Sequence, residues 1–212
     1  MTIRPAAGAA GRPGDGAAAS FEHAVAGLRA GLAELRSARP ELSFEDEPAP
    51  RKLAPYAAAF AATVLQADDE MGWGKLVLLF DPAGQAGWDG RFRFIAYIRA
   101  ELDPEIAADA LIGQVGWSWL TEALDARAGG YRQPSGTVTR VVTEGFGTKQ
   151  AEPVATGFEL RASWSPAAGD EASLEFGGHV EAWSDALCMA SGLPPLPAGV
   201  AALRSHGARK QP

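Results

Sequence analysis

Lys75-Leu-Val-Leu-Leu-Phe80, the turn Asp81-Pro-Ala-Gly84, and Arg91-Phe-Arg-Phe-Ile-Ala-Tyr-Ile-Arg-Ala-Glu101 form the stretch on which the fold turns. The first run is short, apolar and bounded by turn residues, as a strand buried on both faces is. The second alternates. Phe92, Phe94, Ala96, Ile98 and Ala100 point one way; Arg91, Arg93, Ile95, Tyr97, Arg99 and Glu101 point the other. Successive strand side chains face opposite sides, so the first set predicts a core and the second a wetter surface. Proline and glycine between the runs supply turn chemistry. A long antiparallel hairpin is therefore the expected centre of the molecule.

Outward from it, the pattern predicts a helix from Ser20 with Phe21, Val25, Leu28, Leu32 and Leu35 on one stripe, ended by Pro40. Gly27 and Gly31 weaken that helix by up to about 1 kcal/mol each relative to alanine, so packing must hold it. A short acidic edge strand is expected over 41–47. Pro55 and the Ala-rich run Tyr56–Leu65 predict a second, deeply packed helix. Pro104 opens a helical region with Ile106, Ala110, Leu111, Val115, Trp119, Leu120 and Leu124 inward, stopped at Gly129-Gly130. Strands over 137–144 and 155–165 and a helix over 171–191 follow, the helix closed by Gly192 and Pro194-Pro195. The expectation is one α+β domain over 20–196: a largely antiparallel sheet of about five strands packed by helices, in the order α-β-α-β-β-α-β-β-α. The order is similar to secretion-chaperone-like folds with a helix added after the first strand. Residues 1–19 and 197–212 lack apolar period and read as disordered tails.

A spacing of 64 residues relates Phe94 to Phe158, Ala108 to Ala172, Gly113 to Gly177 and Trp119 to Trp183. A repeat of that length would set two ββα units in one sheet about a pseudo-twofold axis.

Composition narrows function by exclusion. Of 212 residues 47% are hydrophobic and the formal charge is −7, which opposes a general nucleic-acid binder. No run of apolar residues is long enough for a membrane span, and no secretory signal is present, so the expected location is cytoplasmic. The single cysteine, Cys188, sits in an apolar helical stretch and reads as a small buried hydrophobe. His23, His179 and His206 show no metal-ligand spacing. The acidic runs Glu45-Asp46-Glu47 and Asp68-Asp69-Glu70 read as solvated element ends. Neither a catalytic residue nor a metal site nor a cofactor is indicated.

Two groups are candidates for binding. Arg93, Tyr97 and Arg99 share the polar side of the central strand, joined by Arg161 and Glu159 if the last strand pairs nearby; such a face can recognise a carboxylate, a phosphate or an acidic partner. Its plain alternative is an ion-pair ladder among Arg99, Glu101, Glu159 and Arg161. Trp117 and Trp119 lie about 200° apart on one helix, so both cannot face the same core: either one sits at an interface or lines a cleft, or a second core layer from another helix receives it.

Six phrases in one order carry a resemblance: Pro48-Ala-Pro-Arg-Lys-Leu-Ala-Pro-Tyr56, Lys75–Gly84, Trp117-Ser-Trp-Leu-Thr-Glu-Ala-Leu124, Pro134-Ser-Gly-Thr-Val-Thr-Arg140, Glu159-Leu-Arg-Ala-Ser-Trp164 and Gly192-Leu-Pro-Pro195. Over about 20–196 the chain resembles the actinobacterial domain-of-unknown-function family numbered three thousand. The resemblance implies a cytoplasmic bacterial setting and supplies no activity and no catalytic residue. The expected function is a non-enzymatic binding or adaptor protein, its partner a second copy or another cytoplasmic protein. The alternatives are an enzyme drawing on the acidic-loop carboxylates or His179, and an RNA-associated accessory protein.

Overall fold

The computed structural model describes residues 13–167 and 175–194, with side chains from residue 16 onward. The elements run α1 (Pro13–Ala38), β1 (Leu42–Glu47), β2 (Tyr56–Gln66), β3 (Asp69–Phe80), β4 (Phe92–Glu101), α2 (Pro104–Ala108), α3 (Ile112–Arg127), β5 (Tyr131–Thr143), β6 (Ala155–Pro166) and α4 (Phe176–Ala190). All strand pairs are antiparallel, in one sheet ordered β1-β2-β3-β4-β6-β5. The class is α+β, and the central hairpin lies where its alternation put it.

Three expectations are corrected. The Ala-rich run is β2, not a helix, so the sheet has six strands. Alanine is the best helix former, but propensity yields to tertiary context, and here β1 and β3 pair with the run on both sides. Its even positions, Phe60, Ala62 and Val64, join the main core, while Ala57 and Ala59 face the opposite side. Next, α1 begins at Pro13, ahead of Ser20, which is therefore not its cap. Finally, the inward face after Pro104 is shifted. Ile106, Leu111 and Val115 are exposed, and Ala107, Ile112, Gly116, Leu120, Ala123 and Leu124 are buried. The cause is a break at Asp109, whose carboxylate accepts from the Leu111 amide and resets the helical phase. Of the disordered tail expected over 1–19, residues 13–19 are instead the first turns of α1; residues 1–12, the tail expected at 197–212 and the first turn expected at 171–174 lie outside the described residues.

The helices pack on one face of the sheet. Leu28, Leu32, Leu120, Leu124, Val180 and Trp183 from the long helices pack onto Phe60, Leu76, Leu78, Phe94, Ile98, Leu160 and Trp164. The glycines that weaken α1 have a reason: a Cβ on Gly31 would meet Val180 at 2.8 Å and the Gly177 Cα at 3.0 Å, so bare backbone lets α1 and α4 close. Asp185 lies between Arg127 (2.6 Å) and Arg39 (3.8 Å), tying α3 and the end of α1 to α4.

The 64-residue spacing coincides with matching elements, Ala172 lying outside the described residues. Phe176 opens α4 64 positions after Ile112 opens α3, and Phe158 stands on β6 as Phe94 does on β4. The hairpins β3-β4 and β5-β6 meet back to back along the antiparallel β4–β6 seam, as a pseudo-twofold relation requires.

Candidate functional site

Among the described residues the face opposite the helices has no helix on it, and it carries the alternating polar set. Cross-strand register orders it into rows. Glu45, Ala61, Lys75, Tyr97, Arg161 and Thr137 form one row. Ser43, Thr63, Trp73, Arg99, Glu159 and Thr139 form the next. Toward the other end of the sheet the face turns apolar: Ala59, Val77 and Leu79 are buried beneath Ala54 and Trp88 from the flanking loops.

Register brings Tyr97 and Arg99 together with Arg161 and Glu159, as the sequence suggested. Trp73 joins them, its ring 5.8 Å from that of Tyr97. The Arg161 guanidinium lies 5.2 Å over the Tyr97 ring and pairs with Glu159 at 2.9 Å. Burial, then a hydrogen bond to Glu159, push the Tyr97 phenol above its ordinary pKa. The four-member ladder does not form. Among the described residues Arg99 makes no ion pair, although Glu159 stands opposite it in register. Met71, Trp73, Tyr97, Arg99 and Glu101 border a hollow of about 450 Å³ at this end of the sheet. A second hollow, about 130 Å³, adjoins it across Arg99 and Glu101 and runs to Gly157 and Val141. An aromatic wall beside a cation and an anion can hold an apolar side chain while bonding the polar groups next to it.

Arg93 stands apart from this group, at the far end of β4 and buried under the loop end of the sheet. Trp117 and Trp119 both reach the core from opposite flanks of α3 and stay half-buried. Trp117 lies against the bare backbone of Gly136, and Trp119 packs 5.5 Å from Phe158. A sheet wider than the helix receives both rings.

His179 is buried, accepts from Trp164 Nε1 at 3.1 Å, and is held neutral by burial, which lowers its pKa to about 4. The acidic runs disperse: Asp46 pairs with Arg29 and Glu47 with Lys75, each at 3.0 Å, while Asp68 and Asp69 close the β2–β3 turn. Among the described residues no three His, Cys, Asp or Glu side chains are grouped to hold a metal ion. Among them, too, no helix is long and apolar enough to cross a membrane. The residues missed from sequence are Trp73 and Met71. The signal for Trp73 was a place two residues before Lys75 on the same face of β3; Met71 lies at the irregularity in the β2–β3 pairing, where alternation gives no signal.

The family model described as a protein of unknown function (DUF3000) matches residues 17–201. No curated protein and no solved structure matches the chain.

Proposed function

The chain belongs to the DUF3000 family of proteins of unknown function, and from its geometry we propose that it is a non-enzymatic cytoplasmic binding protein that docks a segment of another protein on its uncovered sheet face. One observation carries this reading: the hollow of about 450 Å³ beside Trp73 and Tyr97, where an aromatic pair stays half-exposed next to an Arg99 that forms no ion pair among the described residues. The occupant that fits is an apolar side chain flanked by polar groups that meet Arg99 and Glu101. Aromatic residues and arginine are the side chains that most often anchor protein interfaces.

The test uses the full chain as bait in its native cytoplasm, with Trp73→Ala, Arg99→Glu and a helix-side control, Glu34→Lys. Circular dichroism verifies the fold of each. A protein retained by the parent and the control, and lost from both sheet-face variants, supports the reading. Equal recovery by all four baits refutes it. Sedimentation of the same variants shows whether the retained protein is a second copy.

A further inference from the structure

Arg93 is a buried charge that meets no anion among the described residues. It is 8% exposed, and its acceptors are three hydroxyls. Nη2 donates to Ser163 Oγ at 2.7 Å and Ser135 Oγ at 3.4 Å, and Nη1 to Ser165 Oγ at 3.4 Å. Among the described residues no carboxylate stands within ion-pair distance of it. Buried charges are normally paired, because neutral hydroxyls return less than desolvation takes. That same burial lowers the Arg93 pKa. For packing alone an apolar side chain would serve, as Leu79 does opposite it on β3.

The hydroxyls lead outward. Ser163 Oγ accepts from Arg93, so its own proton is left for another acceptor. Ser135 Oγ lies 3.2 Å from it, on β5, at the exposed surface. Register sets this up: Ser165 and Ser163 sit two apart on β6, and Ser135 pairs with Ser163. Donors thus run from a buried guanidinium on β4 through β6 to the open edge of β5.

We propose that Arg93, Ser163 and Ser135 form an oxyanion site that takes a phosphoryl group. Hydroxyl and guanidinium donors arriving from three strands suit a tetrahedral anion, and arginine is the residue fitted to such groups. The site lies six residues along β4 from Arg99, roughly 20 Å at the rise of a strand, so it is separate from the aromatic hollow.

The test is thermal unfolding of the full chain against inorganic phosphate and, in parallel, O-phosphoserine, with ionic strength held constant by sodium chloride. A saturable rise in the midpoint is expected. Ser135→Ala and Ser163→Ala each weaken the apparent affinity roughly tenfold, the effect of losing one hydrogen bond to a charged group. Arg93→Met abolishes the rise; should that variant not fold, the exposed Ser135→Ala still decides. Tighter binding of O-phosphoserine assigns the phosphoryl to a larger ligand, and tighter binding of inorganic phosphate assigns it to the free ion. A midpoint that responds to neither probe, or responds equally in parent and serine variants, overturns the site.

Discussion

Phe94 stacks on Trp164 across the β4–β6 seam, ring centroids 5.4 Å apart and planes within 20°. The two are paired in register, both are fully buried, and the His179 ring lies 4.7 Å from that of Phe94. The junction of the two hairpins is thus an aromatic contact.

Truncating Phe94 opens a cavity at that junction. Phe94→Ala is expected to cost about 3–5 kcal/mol, read as a lower urea midpoint. A loss below about 1 kcal/mol would mean the seam repacks around the missing ring.

His179 makes stability depend on pH. Its folded pKa, about 4, lies below the ordinary 6.5 of histidine, so the unfolded chain binds the proton more readily. Its contribution is therefore complete above pH 6.5 and lost as pH falls toward 4, by about 3 kcal/mol at most. His179→Gln keeps an acceptor for Trp164 and removes the titration. Denaturant midpoints at the two ends of that range should converge in the variant and diverge in the parent.

Gly116 faces the ring of Phe158, and a Cβ there would overlap it. Alanine gains up to about 1 kcal/mol in helix propensity. Phe158 is fully buried with Trp119 packed beside it, so its ring has nowhere to withdraw. Overpacking wins, and Gly116→Ala should lose about 1–2 kcal/mol net, seen as a fall in melting temperature.

Cys188 is fully buried, and burial pushes its thiol up to about 12. A thiol-specific reagent at neutral pH should label it only after denaturant unfolds the chain. Labelling of the native protein at the rate of a free thiol would contradict this packing.

Much of this was legible because alternation is a strong signal when the two faces differ. The spacing alone puts Phe94 and Ile98 in the core, and Tyr97 stands beside Arg161 because β6 does pair with β4. The run Tyr56–Leu65 hid its period, since alanine on both faces carries no contrast and its propensity points to a helix. The phase of α3 was lost at Asp109, where a side-chain bond to the backbone interrupts the helix. Arg93 looked like one of a polar row with Tyr97 and Arg99. Its separation needed the register of Ser135, Ser163 and Ser165, which lie on two other strands.

The back-to-back hairpins also say where the chain can be divided. Gly129 and Gly130, both at positive φ, end the first unit after α3 and precede β5. Opening the backbone there breaks no hairpin. What then joins the halves is the β4–β6 ladder, the Phe94–Trp164 stack and the helix contacts. A nicked chain would become a heterodimer of complementing fragments, with folding at that seam turned from an intramolecular event into a concentration-dependent one.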